Sequence, residues 1–470
     1  TLLANPEIDL HKKRWWALAV LCAAQFMVIM DTSIIGVALP AIQQSLNYTA
    51  SELQWIFNAY VIVLGGLLLL GGKLADIFGP KKIFMWGFAI LTVASLLTGL
   101  AWSEISMNIG RAMQGLGAAL IAPSALTLLM SIFKDTNELG KAFGFWGASA
   151  AAGGSAGVFL GGLLTEYASW RWTFFINIPL GIIVMIAGAV VLIKGNKIKS
   201  KIDYLGALLI TMAIILIVYT LVTVEHNGWL STITLGLFAL STLLLILFFY
   251  LQKRSKFPLI ALEIFKTPNL VAGNIVMLLL AGAWIPLWFY LNLYLQQTLG
   301  YSAFMSGLAL LPMTITIMIV MVGITGKLVA KYGFKHNLII GLILLTISLL
   351  WFSVAPVDGD FIGFVLSPSI LAAIGMSLAY IPGTIASMSG AKQEDTGLAS
   401  GLVNMTYQVG SAIGLAIVVV IAISTSNSAL ASGILPKEAL NSGFQMAFKI
   451  AAIISGLGAI IALIKIKQPK

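Results

Sequence analysis

Charge, cysteine and histidine are all scarce in this 470-residue chain, and each scarcity closes off a class of function. Charged residues make up 9%, whereas a soluble domain carries about 25% because its surface must be solvated. So little charge cannot cover a water-facing surface of this size, and most of the surface must therefore face lipid. The single cysteine, Cys22, excludes a disulfide framework and a cysteine-rich metal site. Three histidines, His11, His226 and His336, lie near the ends of apolar runs, and no pair has metal-ligand spacing. No metal and no cofactor is expected. The net charge of +10 is not gathered on a polar module, as nucleic-acid binding would require. What the chain does have is 59% hydrophobic residues and a mean hydropathy of +1.00. Its expected class is an all-α polytopic membrane protein.

A bilayer-spanning helix needs about 20 mostly apolar residues. That rule predicts fourteen spans, near 15–39, 53–72, 82–101, 105–131, 140–165, 173–193, 204–224, 231–251, 269–297, 304–326, 335–354, 361–388, 397–424 and 443–464. The first is too long for a removable signal peptide and holds Asp31. Lys and Arg favour cytoplasmic loops. With both ends inside, 23 of the 27 basic residues fall in inner segments. Arg171 and Lys437 fall outside, and Arg111 and Lys449 lie within spans. One helix more or fewer would invert half of this pattern, so the even count stands. The expected location is the cytoplasmic membrane, crossed many times, with anionic lipid as the partner of the positive charge.

Residues 72–81 read GKLADIFGPK and residues 326–335 read GKLVAKYGFK, and half of the aligned positions are identical. The same offset carries the first span onto the ninth. Two six-helix halves related by a parallel repeat form the architecture of the major facilitator fold. The expected units are a first half over 15–194, an inserted helix pair over 204–251 and a second half over 269–464. The inserted pair is expected to be lipid-facing and peripheral to any transport path, because its spans carry no charge.

Several motifs resemble one branch of that fold. Asp31-Thr32-Ser33-Ile34 through Ala38-Leu39-Pro40 is similar to its first-helix motif. Gly72, Asp76, Gly79, Lys81 and Lys82 resemble the superfamily's loop between helices 2 and 3. Arg111, Gln114, Gly115 and Gly117 resemble its fourth-helix motif. Gly153, Gly157, Gly161 and Gly162 resemble the antiporter motif of helix 5. Trp170-Arg171-Trp172 with Asn177 and Pro179, and Gly397 to Gly401 with Asn404 and Gln408, follow the same pattern. The chain thus resembles the 14-helix drug–proton antiporters of the major facilitator superfamily, the Qac/Emr type, along nearly its whole length. It departs twice: Val158 stands where the antiporter motif has Pro, and Ile77 where the loop has a basic residue. The first departure bears on the direction of antiport, the second on the loop's charge latch.

Asp31 is the most informative residue. Holding a carboxylate at bilayer depth costs on the order of 2.5–3.5 kcal/mol, so it must face a cavity or a partner. It is read as the proton-coupling group, against a purely structural contact between helices 1 and 4. Arg111 sits at a matching depth and keeps its charge in essentially any site, which makes it the natural partner; a snorkelling arginine is the plainer reading. Gln114, one turn further along, is expected to bond across the same gap and to contact substrate. Trp284, Trp288, Asn292 and Gln296 recur every four residues and share a helix face, with Tyr290 beside them. Aromatics with a few amides suit amphipathic aromatic ligands and attract cations by about 0.5–2 kcal/mol each, so these residues are expected to line a substrate cavity. Tyr380, Asn404 and Gln408 are expected there too, against the alternative of ordinary core packing. The glycine series packs helices closely; Gly72, Asp76 and Gly79 are expected to take part in conformational switching with it. Lys449 is expected to snorkel, and Glu225-His226 to form a solvated turn.

The function expected from the resemblance and these residues is proton-coupled export of lipophilic, neutral or monocationic compounds, by a monomer. Export of one endogenous lipid-like or siderophore-like substrate is the alternative. A membrane-embedded transferase would need acid, base and nucleophile converging on one aqueous face, and the spans offer no such set.

Overall fold

The computed structural model describes residues 6–133, 136–194, 201–392 and 396–468. Lys134, Lys197, Lys199 and Lys470 lie outside these residues, as do the side chains of His11, Lys12, Lys141 and Glu225. Among the described residues, fourteen helices are long and apolar enough to cross a membrane. Spans 1 to 6 are Lys13–Leu46, Glu52–Phe78, Pro80–Gly99, Glu104–Ile132, Phe145–Tyr167 and Trp172–Val191. Spans 7 and 8 are Tyr204–Val224 and Thr232–Arg254. Spans 9 to 14 are Leu270–Thr298, Ala303–Gly323, Thr325–Phe352, Ile362–Met388, Gly397–Ala431 and Pro436–Lys465. The even number brings both ends of the chain out on one face, the lysine-rich inner one.

The repeat is visible in the backbone. Gly79 (φ 98) separates spans 2 and 3, and its repeat-equivalent Gly333 (φ 78) breaks the helix of span 11. Only a residue without Cβ takes such angles readily. Thr325 to Tyr332 therefore continues span 10 inward, and span 11 proper begins at Phe334, close to the predicted start. Gly87 and Gly341 are a second equivalent pair. A Cβ on Gly87 would meet the Gly117 carbonyl oxygen of span 4 at 2.9 Å, and one on Gly341 the Gly375 carbonyl oxygen of span 12 at 2.6 Å. Both halves thus use a glycine to let two backbones touch, as small residues do where lipid supplies no hydrophobic drive for association.

Span 1 runs past its predicted end, because Pro40 lies inside a continuous helix that reaches Leu46. Spans 13 and 14 likewise extend beyond their apolar windows into polar turns at the outer face.

One helix of the inserted pair departs from the expected lipid-facing placing. Span 8 is largely exposed, with Ile233, Leu235, Leu243 and Ile246 facing outward. Span 7 is instead buried along the seam between the halves. Ile210, Ile214, Val218 and Leu221 pack with Leu64 and Leu68 of span 2 and with Leu402, Met405 and Ala412 of span 13. Composition could not separate the two, since an apolar neighbour and a lipid tail favour the same side chains. Asp203 fixes the start of span 7 by accepting from the Gly206 amide at 2.8 Å.

Candidate functional site

Inside the first half, five spans converge on one carboxylate. Asp31 is 1% exposed and Arg111 fully buried, and the Arg111 Nη1 lies 3.0 Å from the Asp31 Oδ2. Arg111 also donates through Nε to the Ile56 carbonyl of span 2 (2.9 Å) and through Nη1 to the Gln114 Oε1 (2.8 Å). Its guanidinium lies 4.5 Å from the centre of the Tyr60 ring. The other carboxylate oxygen, Asp31 Oδ1, accepts from Asn177 Nδ2 of span 6 at 2.6 Å. Gln114 Nε2 donates to the Ser95 hydroxyl of span 3 at 2.9 Å and stands 3.5 Å from Asp31 Oδ1.

A charged pair out of water is tolerated only when its remaining donors and acceptors are met, and most are met here. Arg111 Nη2 and Asn177 Oδ1 are buried without a partner among the described residues. A buried donor and acceptor left over in one site are what an ordered water or an entering polar group satisfies.

The glycine series positions this site from behind. Gly153, Gly157 and Gly161 pack on span 1 at Phe26, Ser33 and Ile34, the last with its would-be Cβ 2.7 Å from the Ile34 carbonyl oxygen. Gly162 faces Ala303 of span 10. Val158, where the motif departs, is fully buried and its carbonyl touches Gly307 of span 10. Span 5 is therefore clamped between span 1 and the second half. Gly72 makes only ordinary contact with Pro123. Asp76 is half-buried in the last turn of span 2, and Gly79 ends that helix.

The face predicted on span 9 exists, and Trp288, Asn292 and Gln296 on it meet span 1. Trp288 Nε1 and Asn292 Nδ2 would each meet a Cβ on Gly36 at 2.7 Å, and Gln296 Nε2 donates to the Val37 carbonyl at 2.8 Å. Trp284 and Trp288 are buried. Tyr290 turns into the second half, its ring 5.5 Å from Phe444 of span 14. Four-residue spacing reports a shared face, not what the face meets. Beside this seam, Gln297 Nε2 donates to Gln43 Oε1 at 2.9 Å, and Glu166 Oε2 accepts the Phe304 amide at 2.7 Å. The two halves are thus joined at their outer ends.

Towards the inner face the picture differs. Asn404 is exposed, with its amide returned only to the Ser400 carbonyl of its own helix. Gln408 is half-buried against Gly65 of span 2. Tyr380 meets Tyr407 edge-on at 5.3 Å. These four bring two phenols and two amides to neighbouring places on spans 12 and 13. Sequence reasoning missed Tyr407, Ser95 and the partnership of Asn177; Tyr407 lies on the next span from Tyr380, and no periodic signal carries across the loop between them. Arg171 has a structural part, donating to the Gly99 and Ala101 carbonyls at 2.8 and 2.7 Å and lying over the Trp170 ring. Lys449 is exposed on the outward face of span 14.

The fold of two helical repeats has counterparts among known proteins. The family model for the Major Facilitator Superfamily matches residues 21–415. The chain belongs to the Major Facilitator Superfamily. It is accordingly a multi-pass membrane transporter, and its relatives fit the 14-helix drug–proton antiporter branch. The cephamycin export protein CmcT of Amycolatopsis lactamdurans is 36% identical over 409 residues, covering 86% of this chain and 84% of that protein. The puromycin resistance protein pur8 of Streptomyces alboniger is 31% identical, covering 97% and 92%. The tetracenomycin C resistance and export protein of Streptomyces glaucescens is 33% identical, covering 88% and 77%. Among solved structures, an auto-inhibited POT family peptide transporter aligns with a TM-score of 0.69 at 16% identity, covering 96% of this chain and 97% of the other. That likeness shows the shared fold alone.

Proposed function

We propose that this superfamily member is a drug exporter that moves amphipathic, neutral or monocationic compounds out of the cell in exchange for protons, with Asp31 as the proton carrier. The observation that carries the reading is the buried Asp31–Arg111 pair, with Asn177 on the second carboxylate oxygen. When Asp31 takes a proton, Arg111 loses its counter-charge and the contacts to Ile56 and Gln114 must be rebalanced, which couples protonation to the packing of spans 1, 2 and 4. Substrate entering from the inner side meets Tyr380, Tyr407, Asn404 and Gln408, whose rings and amides suit flat amphipathic molecules. The position equivalent to Asp31 in the second half is Ile285, so one site serves the cycle. The driving force is adequate at roughly 2.3 kcal/mol per charge per 100 mV and about 1.36 kcal/mol per pH unit.

The names of the relatives point the same way, since each is an antibiotic export or resistance protein. Several are named for a single compound, which favours a second reading: export of one endogenous substrate. The deciding experiment is substrate-induced proton release from purified protein, scanned over dyes, biocides and antibiotics. Release with many members of the panel supports the broad reading, and release with one supports the second. Asp31→Asn is expected to release no protons while inserting normally; undiminished release from that variant removes Asp31 from the coupling role.

A further inference from the structure

The two halves present lipid-facing grooves at different depths, and the one that reaches the inner face is basic. Between spans 3 and 6, at the inner end, lies a groove of about 630 Å³. Lys81, Lys82 and Lys194 stand at its inner rim, and Met85, Trp86 and Met185 form its apolar wall. Among the described residues, no acidic side chain lines it. A groove between spans 11 and 14 is smaller, about 280 Å³, and lies further from the inner face. Its lining includes Ile339 and Ile343, the repeat-equivalents of Met85 and Ala89, with Ile347 and Leu463, and none of the described residues that line it is charged. The second half carries Lys335 and His336 at the repeat positions of Lys81 and Lys82, but its groove lies further along the helices and they do not line it.

The three lysines are placed differently. Lys81 Nζ donates to the Ala189 and Leu192 carbonyls at 2.7 and 2.8 Å, which ties span 3 to the end of span 6 and leaves one proton of the ammonium outward. Lys82 and Lys194 are exposed. Lys82 lies 6.0 Å from the centre of the Phe78 ring. Trp86 is 58% exposed beside them, and an indole at the level of the headgroups is a common membrane anchor. A cluster of ammonium groups above an apolar wall, on the inner side of the membrane, matches one occupant in both charge and depth: a phosphate with two acyl chains below it.

We propose that this groove is a binding site for an anionic phospholipid of the inner leaflet, with the phosphate held by Lys82 and Lys194 beside the anchored Lys81, and the acyl chains lying along Met85, Trp86 and Met185. Trp86 provides the readout. The full chain is reconstituted into phosphatidylcholine vesicles containing increasing fractions of phosphatidylglycerol or phosphatidylcholine brominated on the acyl chains. The Trp86 signal is the difference between wild type and Trp86→Phe. Each lysine near an anionic surface contributes about a fivefold preference. The expected result is therefore half-maximal quenching of Trp86 at an at least fivefold lower fraction of the anionic lipid, lost in the Lys82→Gln, Lys194→Gln double variant. The Lys82→Arg, Lys194→Arg variant keeps the charge and is expected to keep the preference. Equal quenching by both lipids overturns the proposal. So does a preference that survives the double Gln variant, which would be general attraction to the basic face, or one that the Arg variant fails to retain.

Discussion

At the scale of single residues, the ion pair dominates what can be predicted. Arg111→Ala leaves Asp31 buried without its cation, and breaking a buried pair by removing one partner costs on the order of 3–5 kcal/mol. Replacing both partners removes the uncompensated charge, so Asp31→Ala with Arg111→Ala should recover most of that loss. Thermal unfolding of wild type and the two variants in one detergent checks this, and a double variant as unstable as Arg111→Ala contradicts it. Transport should be lost in both, since neither retains the intact pair. Asp31 and Arg111 were legible in the sequence because a charge within an apolar run has no inexpensive explanation. Asn177 was not. A neutral amide is tolerated in a span without a partner in view, and its hydrogen bond to Asp31 crosses 146 residues of chain.

At the scale of helices, the outer seam is held by a few polar contacts, and these are its weak points. Glu166 at the end of span 5 accepts the amide of Phe304 in the first turn of span 10, acting from the other half as an N-terminal cap does within a chain. Loss of a cap costs about 1 kcal/mol, which corresponds to roughly a fivefold shift in a two-state equilibrium. Glu166→Ala should therefore raise the exposure of the outer seam about fivefold. The measurement is the labelling rate of a Gln297→Cys variant, in a Cys22→Ala background, by a membrane-impermeant thiol reagent. An unchanged rate means that the remaining contacts, Gln296 to Val37 among them, hold the seam without Glu166. Helix existence was legible from apolar length throughout, whereas helix ends were not. Pro40 reads as a stop but sits inside span 1, where the chain continues because the residues after it still pack between the halves. The shared face of Trp288, Asn292 and Gln296 was legible from spacing, yet its neighbour, Gly36, could be known only from the packed structure.

For the whole molecule, the constant offset between the two glycine-turned loops was enough to divide the chain into two halves, while the place of span 7 against both of them followed from packing that composition does not encode. The same view of the molecule limits what it can carry. Among the described residues, Asp31 is the one carboxylate deep within a span, and it is 1% exposed and held by Arg111 and Asn177. The polar groups nearer the inner side, Asn404, Gln408, Tyr380 and Tyr407, are neutral amides and phenols. A monocation entering there can be met by ring faces, each contributing about 0.5–2 kcal/mol. A second cationic centre on the same molecule would find no carboxylate, and its desolvation would go uncompensated. Neutral and monocationic aromatic compounds should therefore be exported at least tenfold better than dications of similar size, a difference of about 1.4 kcal/mol. Efflux of matched mono- and bis-quaternary compounds from cells producing the protein measures this directly. Efficient export of the dications would require a second acidic group in the path, and Glu166, released from Phe304 when the outer seam opens, is the side chain placed to supply it.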